Sequence, residues 1–232
     1  MANELIFLFM TIVVLGATLT AFRLGRFWLY GFIAVCIVLA NIFVTKQFVI
    51  FGITATGGNI TYGAIFLATD LLCEHYGKKD SRRAVYLGLF GAVFYLLTSQ
   101  CILLFEAAES DLVHASMQTI FSFAPRIVLA SLIAYLISQL HDVWFFHLLK
   151  QKCRGRWLWL RNNLSTSVSQ LIDSAIFSLV AFWGLFPLNV VLQIIASTYL
   201  LKLLVALIDT PFIYLSYRWR PAELRPAPTA NA

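Results

Sequence analysis

Charged residues are scarce in this chain of 232 residues. Only 12% of the residues are Asp, Glu, Lys or Arg, whereas 60% are hydrophobic, and the mean hydropathy is +0.82. A water-soluble domain of this length needs a more polar surface, which excludes a soluble enzyme and a soluble binding module. The composition predicts an all-α protein with several membrane spans, whose function takes place in or at the lipid bilayer.

Paired cysteines and nucleotide-binding motifs are also missing. The chain has four cysteines, Cys36, Cys73, Cys101 and Cys153. Their spacing is irregular, so it indicates neither a disulfide framework nor a zinc site. The chain has no GxxxxGK[ST] stretch, so we do not expect it to hydrolyse ATP by itself. His141 and His147 do not share a helix face. We therefore predict neither a metal site nor a cofactor, and we find no internal repeat.

Hydrophobic runs of about 20 residues, the length that crosses a hydrocarbon core about 30 Å thick, occur seven times. The predicted spans are 5–22, 27–45, 53–73, 84–105, 126–149, 164–184 and 190–217. The third begins with glycines among polar residues, at 54–63, which favours a break, a re-entrant turn or a short helix after a loop. Residues 1–217 are thus predicted to form one transmembrane domain, a six-helix core plus an N-terminal span. The Pro- and Ala-rich residues 218–232 are predicted to be a disordered cytoplasmic tail.

Basic residues predict the orientation of these spans. Of the 17 Lys and Arg residues, 14 fall in the tail or after the first, third and fifth spans. The opposite loops carry Glu106, Glu109 and Asp111, and Lys46 as their one basic residue. Because cytoplasmic loops are enriched in Lys and Arg, this distribution predicts an external N-terminus and a cytoplasmic C-terminus. An acidic residue, Glu4, precedes the first run, which indicates a retained span and not a signal peptide.

Five charged side chains lie inside the predicted spans, where each costs roughly 2.5 to 3.5 kcal/mol unless it faces the bundle interior or water. They are Asp70, Asp142, Asp173, Lys202 and Asp209. Counting from the ends of their spans places Asp173 about 14 Å and Lys202 about 18 Å deep, from opposite sides. These depths allow an ion pair near the middle of the bilayer. A purely structural pair, and a pair between Lys202 and Asp209, remain alternatives.

The sixth span has a broad polar face in its first half. Two adjacent stripes at helical spacing are formed by Asn162, Thr166, Ser169 and Asp173, and by Asn163, Ser167, Gln170 and Ser174. Hydrogen bonding between helices explains a few such residues. Eight of them, ending in a carboxylate, favour a solvated cavity or a ligand site.

Two further pairs share a face of a helix. In the fifth span Gln139 and Asp142 combine an amide with a carboxylate, a set suited to a polar aromatic ring. In the third span, Asp70 lies within the hydrocarbon core and Glu74 lies close to the membrane–water interface. We interpret Glu74 as a boundary residue that pairs with the basic loop after this span.

Three segments carry a resemblance to a known family. They are FLATDLLCEHYGKKDSRR, RIVLASLIAYLISQLHD and RNNLSTSVSQLIDSAIFSLVAFWG. In this order they resemble the queuosine-precursor transporter family, vitamin uptake transporter-like proteins of the bacterial inner membrane, over about residues 27–217. The resemblance implies import of 7-cyano-7-deazaguanine, 7-aminomethyl-7-deazaguanine or queuine for tRNA modification. It places the family's acidic and amide positions on Asp70, Glu74, Gln139, Asp142, Asn163, Gln170 and Asp173.

Several expectations accompany this resemblance. Lys202 joins the substrate-binding set as the expected partner of Asp173, and the candidate stacking partners are Tyr135, Phe177 and Tyr199. The expected partners are a small 7-deazapurine and the lipid bilayer, with no nucleic acid. A homo-oligomer and separate energising subunits are both compatible with the sequence.

Three other functions are compatible with a membrane protein of this composition. The chain would be the substrate-binding component of an ATP-driven importer if separate ATPases energise it. A membrane-embedded enzyme using Asp142, His141 and Arg126 is disfavoured, because these groups do not converge on one helix face and no nucleophile elbow is present. We therefore expect no enzyme activity. A structural protein whose polar faces join helices or protomers is the last alternative.

Overall fold

Eight α-helices make up most of the computed structural model, which describes residues 2–122 and 125–224. The helices are α1 (Ala2–Leu24), α2 (Arg26–Phe43), α3 (Gly58–His75), α4 (Lys78–Ile102), α5 (His114–Phe121), α6 (Pro125–Lys152), α7 (Leu158–Phe182) and α8 (Leu188–Leu215). An antiparallel hairpin of β1 (Gln47–Ile50) and β2 (Ile53–Thr56) precedes α3, and a 3-10 helix (Ala222–Leu224) follows α8.

Six of the described helices, α1, α2, α4, α6, α7 and α8, are long and apolar enough to cross a membrane. The predicted polytopic helical bundle is thus confirmed. Helix α3 is different, because nearly all of its 18 residues are buried. It contacts α1, α2, α4, α6 and α8, and at 1.5 Å per residue it is about 27 Å long. The seven predicted runs therefore correspond to six such helices and one central helix that they surround.

The hairpin before α3 was not predicted as strands. Its two-residue turn has positive φ at both Phe51 (49°) and Gly52 (75°), the backbone that a type I′ turn requires. Ile50 and Ala55 are buried, in an apolar cluster that includes Leu201 of α8. The first strand lies between two predicted spans and the second at the start of the third, and four residues are too few to show the alternation of a strand in a hydropathy profile. The expected short helix after a loop corresponds to α3.

Two basic segments that were placed in loops belong to helices. Helix α4 begins at Lys78 and includes Arg83, so the predicted start of this span at residue 84 was too late. Helix α7 begins at Leu158 and includes Arg161, which is fully buried. A hydropathy profile ends a span at such basic residues, although the helix itself can continue past the hydrocarbon core.

The short helix α5 was also not predicted.

The beginning of the predicted tail contacts the bundle. Glu223, in the 3-10 helix, accepts hydrogen bonds from the backbone N–H of Arg26 and the hydroxyl of Tyr76. The bond from Tyr76 holds the pKa of the Glu223 carboxyl below its ordinary value. The predicted disorder from residue 218 onward therefore does not describe residues 218–224. Residues 225–232 lie outside the described residues.

Close contact between α3 and α8 depends on a glycine. A Cβ built on Gly63 would lie 2.6 Å from Cγ1 and 3.3 Å from Cβ of Val205. Val205 is fully buried and branched at Cβ, so it has little freedom to move away. The missing side chain at Gly63 thus lets the central helix approach the last span.

We expect Gly63→Ala to destabilise the protein, because overpacking of this kind costs about 1 to 3 kcal/mol. In a chain of this length the thermal midpoint in detergent should fall by about 5 °C. Gly16→Ala in α1 is the matched control, since nothing lies within 4 Å of a Cβ at that position. Equal midpoints for the two variants would contradict the assigned role of Gly63.

Candidate functional site

A cavity of about 230 Å³ lies between the helices at the end of the bundle that carries the hairpin. Its walls come from the hairpin and from α2, α3, α4, α6, α7 and α8. Tyr62, Tyr135 and Phe177 contribute aromatic rings, and Asn59 contributes an amide. Tyr135 and Phe177 were candidate stacking residues, whereas Tyr199 is not part of this lining. The cavity thus combines flat apolar surfaces with a few polar groups, as ligand sites do.

The floor of the cavity is an ion pair between Asp173 of α7 and Lys202 of α8. Tyr62 of α3 donates to Asp173 Oδ1 at 2.7 Å, and the hydroxyl of Ser138 of α6 lies 3.1 Å from the same oxygen. The Lys202 ammonium also lies 5.0 Å from the centre of the Tyr62 ring. The ion pair that the depths of these residues allowed is present in the structure. Lys202 does not pair with Asp209.

Two buried amides come next along the bundle, beyond this floor. Gln170 lies one helical turn before Asp173, and Gln139 follows Ser138. Thr69 donates to Gln139 Oε1 at 3.3 Å. No described residue forms a hydrogen bond with Gln139 Nε2 or with either polar atom of Gln170. An unpaired buried polar group costs about 1 to 3 kcal/mol, so these atoms are suited to receive a polar ligand.

A cluster of three carboxyl groups lies further toward the basic end of the bundle. It consists of Asp70 of α3, Asp142 of α6 and Asp209 of α8, all of them buried. Thr166 donates to Asp70 Oδ2 at 3.1 Å, and Asn162 donates to Asp209 Oδ1 at 2.6 Å. The first part of the polar face of α7, at Asn162 and Thr166, therefore contacts Asp209 and Asp70 outside the cavity.

The basic end of the bundle is closed by interactions of Glu74. Arg161 pairs with Glu74 Oε1 at 3.1 Å and Lys150 with Oε2 at 3.4 Å, and Tyr217 donates to Oε1. Arg161 also lies over the ring of Phe146, at 5.6 Å. Glu74 was expected to pair with the basic loop that follows the third span. The structure corrects this expectation, because its partners come from α6 and α7, which pack against α3 from elsewhere in the chain. Arg161 makes its contact from inside α7 and not from a loop.

The predicted substrate-binding residues are thus distributed along the bundle. Asp173 and Lys202 line the cavity, Gln139 and Gln170 lie just beyond it, and Asp70 and Asp142 lie deeper. Glu74 is at the opposite end. Asn163 lies between α7 and α8, where it donates to the Trp159 carbonyl at 2.8 Å and to Thr210 Oγ1 at 2.7 Å.

Tyr62 and Asn59 were missed as candidates. Both belong to the glycine-rich stretch at the start of α3, whose polar residues were the available signal.

Within residues 2–122 and 125–224, no three His, Cys, Asp or Glu residues are arranged to hold a metal ion.

Replacing one partner of the ion pair should cost more stability than replacing both. Lys202→Met leaves a buried carboxylate without its cation, a change that typically costs about 3 to 5 kcal/mol. The double variant Asp173→Asn, Lys202→Met removes both charges and should recover most of this loss. Thermal midpoints of the wild type, the two single variants and the double variant measure the coupling. Additive changes would show that the two residues do not stabilise one another.

Comparisons with known proteins agree with this architecture. Residues 56–216 match the family described as "Putative vitamin uptake transporter". A "Probable queuosine precursor transporter" of Bacillus subtilis (strain 168) is 44% identical over 204 residues, which cover 88% of each chain. The "Queuosine precursor transporter" of Escherichia coli (strain K12) is 31% identical over 68% of each chain.

A third relative comes from Haemophilus influenzae (strain ATCC 51907 / DSM 11121 / KW20 / Rd). This "Probable queuosine precursor transporter" is 30% identical over 69% of the present chain and 71% of its own. No solved structure matches the chain. The matched region runs from the end of the hairpin to the end of α8 and includes every residue of the cavity floor. The chain therefore belongs to the vitamin uptake transporter family, as a multi-pass protein of the bacterial inner membrane.

Proposed function

We propose that this protein imports queuosine precursors of the 7-deazaguanine class. The observation that carries the proposal is the cavity whose floor is the Asp173 carboxylate, since it gives the family's transport activity a specific binding place. The names of three relatives, queuosine precursor transporters, supply the class of substrate. On this proposal the protein moves its substrate chemically unchanged and is not an enzyme.

The polar groups around the floor match the edge of a 7-deazaguanine. Such a ring presents N–H donors and a carbonyl acceptor on one edge, which a carboxylate and primary amides can pair with. Asp173 supplies acceptor oxygens, and Gln170 and Gln139 supply buried amide atoms without described partners. The rings of Tyr62, Tyr135 and Phe177 can cover the flat faces of the substrate. Binding would draw the substrate from the cavity past the ion pair toward the amides.

The positions of the cavity and of the basic end support a direction of transport. The positive-inside rule assigns the basic end to the cytoplasm, so the cavity at the hairpin end would open to the outside. The contacts of Glu74 with Arg161, Lys150 and Tyr217 would then close the cytoplasmic exit. Import requires this end to open after the substrate has bound. The arrangement corresponds to an outward-facing state of an alternating-access transporter.

We further propose that the chain transports its substrate without a separate ATPase. Support comes from the buried polar residues that occur at successive levels between the cavity and the basic end within this one chain. Copurification of ATPase subunits that are needed for uptake would contradict this part of the proposal and support the alternative of an ATP-driven importer.

Uptake in cells that cannot synthesise queuosine precursors tests the proposed function. The cells receive one 7-deazaguanine at a time at low concentration, and modified tRNA is scored with and without the protein. We expect modification to depend on the protein and to fall at least tenfold with Asp173→Asn, because a neutral amide loses about 1.4 kcal/mol or more of charge-assisted hydrogen bonding.

The matched control is Glu109→Gln, which removes an acidic charge from an exposed loop. Each variant is measured at equal membrane abundance. Full uptake by Asp173→Asn would remove Asp173 from the binding site. Absence of uptake by wild-type protein that is present in the membrane would overturn the proposed substrate class.

The ion pair should also determine which precursor is preferred. In the wild type Lys202 already neutralises Asp173, which disfavours a second cation. Lys202→Met should therefore shift the preference from the neutral 7-cyano compound toward the cationic 7-aminomethyl compound, by about tenfold or 1.4 kcal/mol. Competition between the two compounds for binding to purified protein measures the shift. An unchanged ratio would place the substituent of the substrate away from Asp173.

A further inference from the structure

The carboxyl cluster of Asp70, Asp142 and Asp209 has no role in the substrate site proposed above. The exposed fractions of these residues are 1%, 0% and 1%. Along α7 the cluster lies at the level of Thr166, which is seven residues, or about 10 Å, from the level of Asp173. It therefore lies between the floor of the cavity and the contacts of Glu74 that close the basic end. On one side the cavity floor separates the cluster from the cavity, and on the other side the contacts of Glu74 separate it from the basic end.

Asp70 and Asp142 lie at the same level between two contacts of α3 with α6. Thr69 donates to Gln139 Oε1 at 3.3 Å, and the Cys73 thiol lies 3.9 Å from the carbonyl oxygen of Val143. The two carboxyl groups are close enough to interact electrostatically. Ionised carboxylates only accept hydrogen bonds, so two of them in contact repel unless one carries a proton. No described donor forms a hydrogen bond of ordinary geometry with Asp70 Oδ1 or with either oxygen of Asp142. Asp209 adds a third carboxyl group that interacts with the other two. Burial of three neighbouring carboxyl groups with so few donors therefore favours the binding of at least one proton.

Basic residues near the cluster are directed elsewhere. The other ionisable residues that face or border it are Cys73 and Glu74 of α3, His141 and Lys150 of α6, Arg161 of α7 and Lys202 of α8. Lys150 and Arg161 pair with Glu74, and Lys202 pairs with Asp173. The His141 ring contacts Ser169, at 2.9 Å. Among the ion pairs of the described residues, none includes a member of the cluster.

Helix α4 also packs against α3, but it brings a neutral group. Ser81 of α4 donates to the carbonyl of Thr69 at 2.8 Å, beside Asp70. Helix α7 also brings neutral groups to the cluster. Asn162 and Thr166 donate to Asp209 and Asp70, and the hydroxyls of Ser165 and Ser169 lie beside Asp142. A neutral donor stabilises an ionised oxygen without cancelling its charge. The charge of the cluster is therefore set by protons and not by a fixed cation.

We propose that Asp70, Asp142 and Asp209 form a proton-binding site that couples substrate uptake to inward proton movement. The inference rests on the proposed transport function and adds its energy source. A proton from the outside binds a carboxylate oxygen of the cluster, and the same proton leaves to the cytoplasm after the protein has changed state. No bond of the substrate is made or broken.

The position of the cluster explains how a proton can act on the helices. The three carboxyl groups come from α3, α6 and α8, so ionisation makes these helices repel one another, whereas protonation allows them to pack. Helix α8 contains Pro211 two residues after Asp209. Proline has no backbone N–H, which interrupts the hydrogen bonds of the helix near the cluster and makes local bending easier.

Transport by the purified full chain in vesicles tests the proposal. The vesicles contain phosphatidylethanolamine and phosphatidylglycerol and no ATP, and the substrate is labelled 7-cyano-7-deazaguanine. With the outside one pH unit more acidic, coupling to one proton should give up to about tenfold accumulation, because one pH unit is equivalent to about 1.36 kcal/mol. A protonophore should abolish the accumulation. Uptake that ignores the pH gradient would overturn the proposal.

Asp209→Asn separates coupling from substrate binding. This variant should exchange internal for external substrate as the wild type does, but its accumulation ratio in the pH gradient should fall to about one. Glu109→Gln, which removes a charge from an exposed loop, should accumulate substrate normally. Gradient-driven accumulation by Asp209→Asn at the wild-type ratio would contradict the inference. Loss of 7-deazaguanine binding by this variant would also contradict it, since it would place Asp209 in the substrate site.

Infrared spectroscopy gives a readout that requires no substrate. A carboxyl group that holds a proton at neutral pH has a carbonyl-stretch band distinct from those of carboxylates. We expect this band in wild-type protein and in Glu109→Gln, and a weaker band in Asp142→Asn. Its absence from the wild type would overturn the proton site. If the band is present but no 7-deazaguanine is bound or exchanged, the proposed substrate is wrong and the proton site remains supported.

Discussion

The Asp173 carboxylate holds four helices of this bundle in one arrangement. It belongs to α7 and contacts Tyr62 of α3, Ser138 of α6 and Lys202 of α8. Because an unpaired charge inside the bilayer is costly, these partners have to stay together wherever the carboxylate remains buried. The same four residues form the floor of the cavity. One electrostatic requirement therefore determines both the packing of these helices and the position of the cavity floor.

The polar interior is arranged in successive levels along the bundle, and each level has a different chemistry. An ion pair lies at the cavity floor, two amides follow at Gln139 and Gln170, three carboxyl groups come next, and an ion-pair network around Glu74 closes the end. Helix α3 contributes to most of these levels, which is why it is buried along nearly its whole length.

Residue patterns predicted much of the membrane bundle but less of its interior. The apolar runs located six long helices within a few residues, because hydrophobic thickness constrains their length. The hairpin at Gln47–Thr56 was not predicted, since two four-residue strands are too short to show a reliable periodicity. Arg161 was misplaced for the opposite reason, because a basic residue ends a hydropathy window even where the helix continues and a buried partner neutralises it.

The sequence by itself determined that this chain is a helical membrane protein, that α7 has a polar face, and that Asp173 and Lys202 lie at depths where they can pair. These features depend on composition and helical periodicity, which are local. The tertiary structure alone decided that Tyr62 joins this pair, that Asp70 and Asp142 meet at another level, and that Glu74 and Asn163 lie away from the cavity. Periodicity assigns a side chain to a face of its helix, whereas its partner depends on how neighbouring helices are rotated and shifted, and long-range packing determines both.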